Sequence, residues 1–162
     1  MRKGRRLAID VGKARIGLAI SDQDGILAVP FATIARVQDS IDSTVSAFVS
    51  AVDDYSFIEA YVGLPIGLSG HSTASTDDAV EVGTRLATAL GLEAIFIDER
   101  LTTVSATANL RLAGKTAKNS RQIIDQEAAA IILEQALQHE KQQGSRPGRS
   151  REELVEAGLV SA

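Results

Sequence analysis

Four acidic residues lie beside apolar runs that are far apart along the chain: Asp10, the neighbours Asp98 and Glu99, and Asp125. Burying a carboxylate costs free energy unless a cation or a hydrogen-bond donor satisfies it. Carboxylate oxygens are the ligands that hard divalent cations prefer, and a pair of such ions can activate water and stabilise both oxygens of a phosphoryl displacement. The four residues are therefore candidate ligands for a metal that assists phosphodiester cleavage.

Two of these acids also have an ordinary structural interpretation. Asp10 precedes a turn, where aspartate often accepts hydrogen bonds from local N–H groups. Asp125 lies early in a predicted helix, where a carboxylate interacts favourably with the helix dipole. Neither position decides between the two interpretations by itself.

Basic residues are segregated from acidic ones in this chain, although the net charge is only −4. Lys13 and Arg15 adjoin Asp10 and could contact phosphate, or could be solvated turn charges. The stretch between Glu99 and Asp125 carries only basic charges, and these are candidate nucleic-acid contacts: Arg100, Arg111, Lys115, Lys118 and Arg121. We expect one acidic face and one basic face, with the basic face next to Asp125.

Strand and helix patterns alternate in a way that could bring the acids together. Apolar runs and turn signals predict strands over 7–9, 16–20, 26–33, 58–63 and 94–97, with Pro30 indicating an edge strand. Stripes at helical spacing predict helices from Asp39 or Ser40 to Tyr55, then over 76–90, about 102–112 and 121–142. The first three strands follow one another closely, whereas the later two need helical crossovers and should be parallel.

The predicted fold is therefore an α/β domain over residues 1–142. It has a mixed five-stranded sheet, made of a three-strand antiparallel meander and two parallel strands, with helices on its faces. Residues 143–162 contain Gly144, Pro147 and Gly148 among basic residues, and we expect them to form a mobile C-terminal tail with at most a short helix over 152–157.

Composition excludes several classes of protein. The chain has no cysteine, which rules out disulfides, thiolate nucleophiles and cysteine-based zinc sites. No apolar stretch is long enough to cross a membrane, and the first residues do not have the pattern of a signal peptide. We expect a cytoplasmic protein without a membrane partner, and any metal to be held by oxygen ligands.

Four ordered motifs resemble those of the YqgF/RuvX family. They are Leu7-Ala-Ile-Asp-Val-Gly12 with the following Arg15-Ile-Gly-Leu-Ala19, Val62-Gly-Leu-Pro65, Asp98-Glu-Arg-Leu-Thr-Thr103, and Ile124-Asp-Gln-Glu-Ala-Ala129. The resemblance spans about residues 5 to 140, and four motifs in order are far more specific than any one of them. It implies a ribonuclease H-like fold of the Holliday-junction-resolvase branch.

The resemblance also implies an activity, which is that of a nuclease that processes the 5′ end of pre-16S ribosomal RNA during ribosome biogenesis. Its catalytic acids would be Asp10, Glu99 and Asp125, with Asp98 as a further metal ligand. The cofactor would be Mg²⁺ or Mn²⁺, in a two-metal site.

Other functions stay open at this stage. Branched DNA, cut by a Holliday junction resolvase, is the alternative substrate to structured precursor rRNA. A non-catalytic ribosome-assembly protein could keep the same fold. A nucleotide-binding protein of the actin-like class could share the first motif, but such proteins duplicate this kind of domain, and 162 residues supply one copy. The sequence leaves open whether the protein is a homodimer.

Overall fold

A computed structural model describes residues 1–99 and 117–162 of the chain, with side chains of residues 117–121 excepted. The predicted helix over 102–112 lies outside these residues. The elements are β1 (Arg6–Val11), β2 (Arg15–Ser21), β3 (Ala28–Ala35), α1 (Ile41–Val52), β4 (Glu59–Leu64), α2 (Ala74–Ala89), β5 (Ala94–Asp98), α3 (Ala117–Gln143), β6 (Arg149–Ser150) and α4 (Arg151–Glu156).

The strands form one mixed sheet in the order β3-β2-β1-β4-β5-β6. The first three strands pair antiparallel, and β1, β4 and β5 run parallel to one another. This confirms the predicted meander, the two parallel strands and the edge position of the strand that contains Pro30. The predicted count of five strands was too low, because β6 pairs antiparallel with β5.

Each face of the sheet has its own hydrophobic core. On one face, alternate residues of β1 such as Leu7 and Ile9 pack with residues of α1 and α2, including Phe48 and Leu86. On the other face, Ala8 and its neighbours pack against α3. Small residues on α3, among them Ala129 and Ala130, allow this helix to lie close to the strands. Asp10 is two residues beyond Ala8 and therefore points to the α3 face.

Local capping explains where the first two helices begin. Ser40 accepts a hydrogen bond from the Ser43 N–H and starts α1, which confirms one of the two predicted caps. Thr73 and Thr76 form a capping box at the start of α2. In the described part of the chain, no helix is both long and apolar enough to cross a membrane.

The C-terminal residues 143–162, predicted as a mobile tail with at most a short helix over 152–157, hold the strand β6 and a helix, α4, close to the predicted one. Ser150 caps α4 through a capping box with Glu153, and Leu154 is fully buried in the core of the α1 and α2 face. The segment therefore contributes both a strand to the edge of the sheet and one apolar anchor to the core. The boundary at residue 142 as the end of an independent domain stays a prediction.

Candidate active site

The carboxyl ends of three parallel strands bring Asp10 and Glu99 to one edge of the sheet. Asp10 lies near the end of β1, and Asp98 and Glu99 end and follow β5, with β4 between them. Parallel neighbours end at the same edge, and this topology gathers residues that are 89 positions apart in the chain. The alternation of strands and helices in the sequence indicated that a sheet could gather these acids.

Gly63 on β4 makes room for the Glu99 side chain. A Cβ atom added at Gly63 would overlap the Glu99 Oε2 atom and would also meet Ile132 of α3. The Glu99 backbone N–H donates to the Leu64 carbonyl at 3.3 Å, which keeps the chain beside β4 beyond the end of β5. Glu99 therefore lies across the α3 face of the sheet, toward Asp10.

The Asp10 and Glu99 carboxyl groups share a hydrogen bond, and both have a raised pKa. For Asp10 the causes are burial, followed by the negative charge of Asp125. For Glu99 they are burial, followed by the charge of Asp10, their mutual hydrogen bond and the charge of Asp98. Two carboxyl groups can share a hydrogen bond only when one of them carries the proton. The pair therefore retains a proton that a bound cation would displace.

Asp125 is held above the same edge by close packing of α3 on β2. Gly17 pairs with Asp10 across the two strands, and a Cβ atom at Gly17 would overlap the Asp125 backbone carbonyl. Only glycine allows the helix backbone so near to the strand. The Arg15 Nε donates to the Asp125 Oδ2 at 2.8 Å, in an ion pair that sequence spacing did not suggest.

The carboxylate oxygens at this edge suit a hard divalent cation. The three predicted ligands, however, do not all face one position. Asp10 and Glu99 supply adjacent carboxylate oxygens, and the charge of Asp125 reaches Asp10. Among residues 1–99 and 122–162, however, no group of three acidic or histidine side chains is close enough to hold one ion. Asp125 is directed toward Arg15, so the predicted three-residue set would need a change at Asp125 to close.

The predicted nucleic-acid contacts are only partly described. Lys13 is exposed, and its backbone carbonyl accepts a hydrogen bond from the Gln38 Nε2 at 2.6 Å. Arg15 is half-buried beside Asp125. Arg100, Arg111 and Lys115 lie outside the described residues, and the first turns of α3 carry Lys118 and Arg121, whose side chains also lie outside them.

Arg36 is a residue at this site that sequence reasoning missed. Its two terminal nitrogens each contact Asp78 of α2 at 2.6 Å, and one of them also donates to the Gly12 carbonyl at 3.0 Å. Arg36 thus ties the turn after Asp10 to helix α2. A groove of about 480 Å³ opens between that turn and the start of α2, with Glu99 in its lining. Nothing in the local sequence connects Arg36 with a residue 42 positions later.

The fold is that of RuvC, because the structure superimposes on two solved structures of Thermus thermophilus RuvC. One, in complex with a Holliday junction substrate, gives a TM-score of 0.55 at 12% identity, covering 89% of this chain and 98% of that one. The other gives 0.50 at 14% identity, covering 89% and 99%. At identities this low, the superposition establishes a ribonuclease H-like fold and nothing finer.

The sequence places the chain in a family within that class. Residues 4–139 match the family model described as "RuvX: Holliday junction resolvase", and the chain belongs to this family. A Leifsonia xyli protein named "Putative pre-16S rRNA nuclease" is 47% identical over 96% of this chain and 99% of its own length. A Streptomyces avermitilis protein of the same name is 40% identical over 96% and 99%. The resemblance found in the four motifs is confirmed.

Proposed function

We propose that the protein is a divalent-metal-dependent nuclease that processes the 5′ end of pre-16S ribosomal RNA. The observation that carries the proposal is the hydrogen-bonded Asp10–Glu99 pair, with raised pKa values, next to Asp125 at the carboxyl edge of the sheet. Buried acids that repel one another cost stability, and a protein that keeps them at one edge of its sheet gains from a bound cation.

Asp10, Glu99 and Asp125 are the residues that would hold Mg²⁺ or Mn²⁺, in one or two positions, with Asp98 beside them. When bound, such cations supply an activated water and stabilise the oxygens of the phosphate under attack. Asp10 and Glu99 would have to give up their shared proton to hold a cation. The close contact between the Asp125 backbone and Gly17 places the start of α3 directly on β2, next to β1.

Two observations support a nucleic-acid substrate: the basic residues of the sequence and the names of similar proteins. The sequence carries only basic charges between Glu99 and Asp125, and Lys13 and Arg15 adjoin Asp10; basic side chains of this kind bind a phosphodiester backbone. Relatives at 40–47% identity are named for pre-16S rRNA, while the family model is described as a Holliday junction resolvase. We place precursor rRNA first because these relatives are similar over almost the whole chain.

A cleavage assay with two substrates tests the proposal. The native protein, Asp10→Asn and Glu99→Gln are incubated with a precursor rRNA fragment or a four-way DNA junction, with Mg²⁺, Mn²⁺ or a chelator. Asp42→Asn is the matched control, because Asp42 is a largely exposed acid on α1. We expect metal-dependent cleavage of the rRNA by the native protein and the control, and none by the two site variants.

The other outcomes separate the alternatives. Cleavage of the junction alone would make the protein a resolvase for branched DNA. Tight rRNA binding without cleavage under any metal would favour a non-catalytic ribosome-assembly role, and binding of a free nucleotide alone would favour the nucleotide-binding class. The proposed reaction belongs in the cytoplasm, and sedimentation of the purified protein measures whether it acts as a homodimer.

Charge-neutralising variants test the basic stretch. Replacing Lys115, Lys118 and Arg121 with glutamine should weaken nucleic-acid binding. Each basic side chain that binds a phosphate displaces a counterion from the backbone, and a glutamine does not. The slope that relates the logarithm of affinity to the logarithm of salt concentration should fall by about one unit for each substituted residue that binds a phosphate. An unchanged slope would place the binding face on another part of the surface.

A further inference from the structure

The Arg15–Asp125 ion pair connects the turn after Asp10 with helix α3. The Arg15 Nε is 2.8 Å from the Asp125 Oδ2, and the two residues are 110 positions apart in the chain. The Asp125 side chain is 17% exposed and that of Arg15 is 33% exposed. A partly buried guanidinium at this distance neutralises much of the charge that Asp125 could offer to a cation.

Backbone packing determines how Asp125 can respond to a cation. Because the Asp125 carbonyl lies directly over Gly17, α3 cannot move closer to β2 without a clash. Gly17 is also the strand partner of Asp10, so Asp125 already lies beside Asp10 along the sheet. A movement of Asp125 toward Asp10 and Glu99 would therefore have to come from its side chain, and it would compete with the contact between Asp125 Oδ2 and the Arg15 Nε.

We propose that Arg15 is a positioning residue that holds the Asp125 carboxylate away from the Asp10–Glu99 pair and thereby weakens cation binding until substrate is present. The inference rests on the proposed metal-dependent function. Once Asp125 turns to the cation, the Arg15 guanidinium is released beside the site. A substrate phosphate is the group of opposite charge that can then bind it. Arg15 thus couples cation binding to binding of the nucleic-acid backbone.

Calorimetric titration with Mn²⁺, in the absence of nucleic acid, tests the proposal without relying on activity. We expect Arg15→Gln to bind Mn²⁺ about three- to tenfold more tightly than the native protein, because a partly exposed ion pair no longer competes for Asp125. Arg15→Lys keeps the charge and should stay close to the native affinity. Arg85→Gln, which removes a surface partner of Asp42, is the matched control for removal of one positive charge and should change little.

An Asp125→Asn background distinguishes a specific contact from a general charge effect. There the Arg15→Gln substitution should no longer tighten Mn²⁺ binding, since the competing carboxylate is gone. Equal tightening in both backgrounds would overturn the proposal, as would unchanged or weaker Mn²⁺ binding by Arg15→Gln in the native background. If the native protein and all variants fail to bind Mn²⁺, both the proposed function and this inference fail. Native binding with no effect of Arg15→Gln rejects the inference alone.

A second titration measures the coupling to nucleic acid. The titration is repeated with a saturating rRNA fragment from which a chelator has removed divalent ions. The native protein should then bind Mn²⁺ more tightly than it does without the RNA. Arg15→Gln should show little of this increase, because in this variant no guanidinium holds Asp125 and the RNA has no ion pair to displace. An increase of equal size in the two proteins would contradict the coupling.

Discussion

The two ends of the sheet hold their acidic side chains in different surroundings. We call the carboxyl ends of β1 and β5, with Asp10 and Glu99, together with Asp125 on α3, the acidic end. We call Arg2, Arg6, Glu59 and Glu140, at the start of β1 and β4, the ion-paired end. Helix α3 spans the distance between them and contributes Asp125 to the first and Glu140 to the second.

At the ion-paired end, each carboxylate has a guanidinium partner. Arg6 is fully buried and its Nη2 lies 2.7 Å from the Glu140 Oε2, while Arg2 contacts both Glu140 and Glu59. Burial alone would raise the pKa of Glu140, yet the hydrogen bonds and charges of the two arginines lower it. At the acidic end, burial and neighbouring negative charges raise the pKa values of Asp10 and Glu99.

The contrast between the two ends shows how one helix can serve both stability and chemistry. Paired charges hold the C-terminal part of α3 against the strands, and the acidic end can then hold carboxylates whose repulsion lowers stability. Such an arrangement is expected where function needs charges that folding alone would not select. The predictions below test each end, beginning with the largest expected effect.

Removing an arginine from the ion-paired end should lower the free energy of unfolding more than the other substitutions described below. We expect Arg6→Met to lower the free energy of unfolding by about 3–5 kcal/mol, because Glu140 loses its buried partner. Urea denaturation measures this decrease. The double variant Arg6→Met with Glu140→Leu should recover part of it, since no uncompensated carboxylate is left. A decrease below about 1 kcal/mol for the single variant would mean that Arg2 alone neutralises Glu140.

The C-terminal segment provides the next test, because it packs beside the strand that leads to Glu99. The sequence predicts that residues 143–162 can be removed with almost no change in thermal stability. The fully buried Leu154 predicts instead that Leu154→Ala costs about 2–4 kcal/mol, through reduced apolar burial and creation of a cavity. Thermal unfolding of this variant and of the truncated chain decides between the two expectations.

Removing a charge from the acidic end should have a smaller effect whose sign depends on metal. Without metal, Asp10→Asn should preserve or raise the melting temperature, because like charges no longer repel. With Mg²⁺ or Mn²⁺ at about a hundred times the dissociation constant, the native protein should gain about 2.7 kcal/mol and the variant much less. A metal-independent decrease in the stability of Asp10→Asn would identify Asp10 as a structural capping residue.

The pH dependence of stability should differ in sign between the two ends. At the acidic end, folding raises the pKa values of Asp10 and Glu99, so the metal-free folded protein holds more protons than the unfolded chain. Stability therefore falls as the pH rises from the usual carboxyl range toward the raised values, by at most about 1.4 kcal/mol per pH unit for each proton.

At the ion-paired end, folding lowers the pKa of Glu140, and its contribution is lost as the pH falls through that lowered value. Urea unfolding at a series of pH values measures both trends. Glu99→Gln should flatten the decline toward neutral pH and leave the acid-side decline intact. A native protein whose stability rises steadily up to pH values of about 8 without metal would contradict the assignment at the acidic end.

Local patterns in the sequence were enough to establish the class of fold. Apolar runs, turn residues and helical stripes are local signals. The order of strands and helices indicated that a sheet could gather Asp10 and Glu99, and the structure brings them to its carboxyl edge. The four motifs named the family that the comparisons confirm. The roles assigned to the site residues remain predictions.

The pairing of charges, in contrast, depended on the tertiary structure. Arg15 with Asp125, Arg36 with Asp78 and Arg6 with Glu140 are 110, 42 and 134 positions apart, and no local pattern links them. The sixth strand and the burial of Leu154 also escaped sequence reasoning, since a two-residue strand and a single apolar anchor are too short to produce a periodic signal. Periodicity reports which face of an element is buried, whereas ion pairs form between elements that meet only after the chain has folded.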